Sequence, residues 1–74
     1  MMLGKTKKVI EAQENEIKLN LSNNYKDTAY EEYLRYVDLI NSYRSQGKIS
    51  ERDYEKLSMK ADEYKRRFKG YIKY

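Results

Sequence analysis

An all-α fold is predicted for these 74 residues: an antiparallel helical hairpin with an additional N-terminal helix, together a small three-helix bundle. Three observations predict it. Tyr54, Leu57, Ala61, Tyr64, Phe68 and Tyr71 recur at 3-4-3-4-3 spacing, the repeat of a helix that lays one narrow stripe against another helix. Residues 47–50, Gly-Lys-Ile-Ser, carry the chemistry of a helix end followed at once by a helix start. Proline is absent and glycine occurs three times, a composition that helices tolerate and turn-rich β folds seldom show.

The first helix is predicted over residues 5–21. Leu3, Ile10 and Ile17 recur every seven residues, and Glu14 and Lys18 stand as a favourable i,i+4 pair. Ile17, Leu19 and Leu21 also alternate as a short strand would, but no partner strand is evident. Ser22-Asn23-Asn24 is the expected break.

The second helix is predicted over 28–46. Thr28 and Glu31 have capping-box spacing; a cap at Asn24 would start the helix about one turn earlier. Its apolar face is expected to run through Tyr30, Tyr33, Leu34, Val37, Ile40 and Tyr43, with Glu31 and Arg35 paired on the surface. Gly47 suits the left-handed residue that ends a helix. Ser50 suits an N-cap with Asp53 at N3, and Ile49 and Tyr54 stand at staple positions. The third helix is therefore predicted over 51–70, with Asp62–Arg66 and Glu63–Arg67 as i,i+4 pairs. A two-helix hairpin leaves one side of its seam open, so the first helix or a second copy of the chain must cover it.

The pattern Gly47-x-Ile49-Ser50-x-x-Asp53-Tyr54, preceded by Leu39 and Tyr43, resembles the short helical hairpin of SHOCT-type domains over residues 39–57. The resemblance implies an interaction or oligomerisation role rather than an activity.

Length and composition narrow the functional classes. One helical domain spanning residues 1–74 is expected, with a thin margin of burial for so short a chain. Without cysteine or histidine there is no disulfide, no thiolate or imidazole metal site, and no side chain that titrates unaided near neutrality. Glu31-Glu32 and Asp62-Glu63 are adjacent in sequence, which on a helix points them apart, so they read as solvated surface. No phosphate loop, metal-ligand cluster or activated nucleophile is visible. No catalytic, cofactor-binding or metal-binding residue is therefore assigned, and neither a cofactor nor a small-molecule substrate is expected. The first eight residues lack the apolar stretch of a signal peptide, and no apolar run approaches the ~20 residues of a membrane span, so a cytoplasmic location is the simplest reading. Lys, Asn, Ile and Tyr supply 30 residues, while Gly, Ala, Arg and Pro supply 11, a bias that points to an AT-rich genome such as a low-GC bacterium or one of its phages.

Two features remain as candidate contacts. The first is the nine tyrosines, since tyrosine supplies large contact area at low entropy cost. Tyr30, Tyr33, Tyr54, Tyr64 and Tyr71 lie on the seams and are expected in the core, rings inside and hydroxyls at the rim. Tyr36 lies off the main stripe, and Tyr25 and Tyr74 lie outside the hairpin helices; these three are expected to meet another molecule. The second is the tail from Tyr64 to Tyr74, where Lys65, Arg66, Arg67, Lys69 and Lys73 have no acid among them. Residues 47–74 hold all of the net +4, against +1 for residues 1–22 and −1 for 23–46. Cations suit a helix C-terminus; mixed with aromatics they also suit phosphates and bases. The expectation is a non-enzymatic protein–protein interaction module, such as a small regulator, an adaptor or a phage-encoded inhibitor of a host protein, with a tyrosine-rich helical face as its contact surface and another protein, a second copy of the chain as a homodimer, or both as partner. The alternative is a small nucleic-acid-binding protein using the basic tail.

Overall fold

The computed structural model describes residues 4–68. It contains three helices, α1 (Gly4–Ser22), α2 (Lys26–Ser45) and α3 (Glu51–Arg67), and no strand among the described residues. The all-α three-helix architecture is thus as the periodicity predicts. Each helix runs antiparallel to the next, and α2 is central, packing along both α1 and α3. The α1 and α3 backbones approach each other far less closely.

Both connections are Schellman turns, in which the residue past the helix end turns left-handed and two amides fold back onto orphan carbonyls. After α2, Gly47 takes φ 74°; its amide donates to the Arg44 carbonyl (3.2 Å) and that of Lys48 to Tyr43 (2.9 Å). After α1 the same geometry is built on Asn24, φ 63°, with the Asn24 amide on Leu21 (3.1 Å) and the Tyr25 amide on Asn20 (2.8 Å).

The start of α3 follows the expectation closely. The Ser50 hydroxyl accepts from the Asp53 amide at 3.1 Å, and the Asp53 carboxylate accepts from the Ser50 amide at 3.4 Å. The start of α2 does not. Its N-cap is Tyr25, which makes no side-chain capping bond, and the helix begins at Lys26, two residues ahead of the expected start at Thr28. The reason lies upstream: Asn24 is already committed to closing α1, so α2 follows with no residue between the turn and its N-cap. The strand alternative for residues 17–21 is also excluded, because α1 runs unbroken through them.

The core gathers Ile10 and Ile17 from α1, Ala29, Tyr33, Tyr36 and Ile40 from α2, Ile49 from the second turn, and Leu57, Ala61, Tyr64 and Phe68 around α3. Two expectations for α2 are corrected here. Leu34, assigned to the apolar face, is 45% exposed, and Tyr36, assigned to the surface, is completely buried. A helix with one neighbour buries one stripe, whereas α2 has a neighbour on each flank. Tyr36 sits about 60° around the helix from Tyr33, on the flank that meets α1, while Leu34 sits about 100° the other way.

Candidate interaction surface

The interior divides into an aromatic end and a polar middle. At the aromatic end, Tyr30 stacks near Tyr33 (centroids 5.8 Å, 23°), and Phe68 meets both, edge-on to Tyr30 at 5.4 Å and tilted to Tyr33 at 5.8 Å. At the other end of the hairpin, beside the α2–α3 turn, the hydroxyl of Tyr54 donates to the Asn41 side-chain carbonyl at 2.6 Å, and the Lys48 ammonium lies 5.1 Å over the Tyr43 ring. Of the tyrosines that the seam spacing places in the core, Tyr33 and Tyr64 are buried, and Tyr30 and Tyr54 are partly buried against it. Tyr71 lies outside the described residues.

The polar middle is centred on Glu14, which is 5% exposed. Its Oε2 accepts the Tyr36 hydroxyl at 2.8 Å and faces the Lys60 ammonium at 3.6 Å. The Tyr36 hydroxyl also lies 3.4 Å from the Leu57 carbonyl, and the ring packs edge-on against Tyr64 (5.9 Å, 88°). One carboxylate thereby ties α1 to both other helices. The Glu14–Lys18 i,i+4 pair gives way to this inward arrangement, because position 14 falls between Ile10 and Ile17 on the buried stripe of α1. That spacing is the sequence signal for Glu14: an acid at i+4 and i−3 from two buried isoleucines. Beside it, the Gln13 side-chain amide donates to the Glu32 carboxylate (2.9 Å) and to its backbone carbonyl (2.8 Å). Glu32, not Glu31, is also the partner of Arg35, at 2.9 Å.

Burial pushes the Tyr36 phenol far above its ordinary range, and the hydrogen bond to Glu14 adds to the shift. Burial, then the charges of Glu14 and Glu63, raises Tyr64 against the opposing effect of Arg67. Tyr33 is raised by burial and then by Asp62. All three hydroxyls remain protonated donors near neutrality. Among the described residues no acidic group is arranged to hold a metal ion.

The surface is where the remaining candidates fall. Tyr25 is 62% exposed at the α1–α2 turn, and Leu19 is 56% exposed one turn before it. Among the described residues, Val9, Leu34 and Met59 are the other large exposed apolar side chains. Lys65, Arg66 and Arg67 are exposed on the last turn of α3, where they also suit the helix dipole. Lys69, Lys73 and Tyr74 lie outside the described residues. Among the described residues the candidates do not come together in one site: Tyr36 is interior, Tyr25 is at a turn, and the three described cations sit on α3. No helix among the described residues is long and apolar enough to cross a membrane. No family model, no curated protein and no solved structure matches this chain.

Proposed function

We propose that this chain is a non-enzymatic protein–protein interaction module, acting in the cytoplasm as a small regulator, an adaptor or a phage-encoded inhibitor of a host protein. The observation that carries the reading is Tyr25. Tyr33, Tyr36 and Tyr64 are buried and Tyr30, Tyr43 and Tyr54 are partly buried against the core, while Tyr25 presents most of its surface to solvent with Leu19 nearby in the chain. A large amphipathic ring on a defined turn is a contact residue at low entropy cost. The contact surface is accordingly smaller than a tyrosine-rich helical face and lies at the α1–α2 end. The resemblance of residues 39–57 to a SHOCT-type hairpin agrees with an interaction or self-association role.

A second reading, nucleic-acid binding, draws on Lys65, Arg66 and Arg67, which are exposed together. Affinity measurement across salt separates the two. Phosphate contacts lose affinity steeply between about 50 and 200 mM salt, and an apolar contact does not. Capture from lysate of a low-GC bacterium, with and without nuclease, should give a protein partner that survives both nuclease and salt and is lost with Tyr25→Ala. Loss of the partner on nuclease treatment would instead establish the second reading.

A further inference from the structure

We infer that α1 exchanges between two copies of this chain, each copy seating the other's α1 against its own α2–α3 hairpin. The inference rests on the interaction reading only in taking one partner to be a second copy. Four observations carry it. The joint between α1 and α2 is three residues long and turns on Asn24 at φ 63°, a left-handed conformation that costs an L-residue energy, though less for asparagine than for most. Straightening that joint joins α1 and α2 into one long helix and removes the left-handed residue; short hinges under strain favour such exchange.

The second observation is the quality of α1 itself. Its first turns carry Lys5, Lys7 and Lys8, no acid lies in the first turn, and no base lies in the last. Both ends thus lack charges that complement the helix dipole. Two of its four buried residues, Thr6 and Glu14, are polar. Such a helix depends on its seat. The third is that the seat is specific. Ile10 and Ile17 are buried in it, and Glu14 meets Tyr36 and Lys60. A second copy offers the same seat, so every contact is recovered on exchange. Two extended copies lie antiparallel with their hinges side by side, each α1 running antiparallel to its new α2 as it does now. The fourth is the apolar surface at the hinge: Leu19 and Tyr25 are 56% and 62% exposed and flank Asn24. In the exchanged dimer the two hinges approach and those side chains gain cover.

The test is a charge exchange. Glu14→Lys sets two cations against each other in a closed chain, and Lys60→Glu sets two acids. Each variant alone should lose helical signal or melt early. An equimolar mixture should regain the helical signal and form a heterodimer of twice the 9.0 kDa chain mass, because each exchanged seat then pairs opposite charges. A dimer held by outer surfaces leaves both seats mismatched, and its mixture would melt as its components do. The hinge gives an independent readout in otherwise native chains. Asn24→Val should strengthen dimerisation by about tenfold, since strain is relieved twice per dimer, and Asn24→Gly should weaken it. A mixture without heterodimer, or equal dimer fractions in the two Asn24 variants, overturns the inference. Capture of a foreign protein through Tyr25 is measured separately, so the interaction reading stands or falls on its own result.

Discussion

The two helix joints of this molecule have the same backbone geometry and opposite construction. The α2–α3 joint uses glycine for its left-handed residue, follows it with a reciprocal cap at Ser50 and Asp53, and closes its far end with the rings of Tyr30, Tyr33 and Phe68. The α1–α2 joint uses asparagine, has no side-chain cap on the helix that follows, and is fastened by polar contacts, Glu14 to Tyr36 and Gln13 to Glu32. The first design rests on dispersion and unstrained turn geometry, which are additive and tolerant. The second rests on buried polar pairing, which holds one register and is costly to disturb.

The largest effect is expected at the aromatic end. Phe68→Ala removes the ring that both Tyr30 and Tyr33 face, and should cost about 3–5 kcal/mol in denaturant unfolding. A loss under about 1 kcal/mol would show that the aromatic end does not hold the hairpin. Next comes the polar fastening. Tyr36→Phe keeps the ring and deletes the hydroxyl that bonds Glu14 and reaches the Leu57 carbonyl, leaving a buried carboxylate short of a partner, at a cost of about 1–3 kcal/mol. If the variant is as stable as the parent, the polar pairing contributes nothing beyond packing.

The same region predicts an alkaline limit. Tyr33, Tyr36 and Tyr64 are all raised above the ordinary value of 10.0. The unfolded phenols ionise first, so stability is fully present below about pH 10 and falls as pH rises beyond it. Thermal melts between pH 8 and pH 11, read beside the ultraviolet signature of tyrosinate, check the sign. A melting temperature unchanged across that window would remove these phenols from the core.

The turns themselves give the smaller effects. Ser50→Ala should cost about 0.5–2 kcal/mol, and Gly47→Val at least as much, because a β-branched residue resists positive φ. Asn24→Gly should have the opposite sign, a gain of under about 1 kcal/mol measured on the monomer, since glycine takes the left-handed region freely. A loss at Asn24→Gly would mean that the asparagine side chain contributes more than its backbone conformation costs.

The difference between the joints is also a difference in legibility. Gly47, Ser50 and Asp53 announce their roles, because each residue type is nearly dedicated to the position it holds. Asn24 suits an N-cap as readily as a left-handed C′ position, and only the fold-back of the Asn24 and Tyr25 amides onto α1 selects the second. The seam of α3 is legible because α3 packs closely along one neighbour; Leu57, Ala61, Tyr64 and Phe68 are all buried. On α2 the same reading misplaced Leu34 and Tyr36, since a single stripe cannot describe a helix held from two sides.

By itself the sequence determined the helical class, the site and chemistry of the second turn, the stripe of α3, and the absence of cysteine and histidine chemistry. Those follow from local geometry: helix period, capping and residue inventory act within a few positions of one another. Tertiary structure decided that α2 is the central helix, that Tyr36 is interior, that Glu14 turns inward to meet Tyr36 and Lys60, and that Tyr25 is left to solvent. Each of these depends on which helix lies beside which, and a neighbour's position is set by packing across the whole bundle rather than by any short stretch of chain.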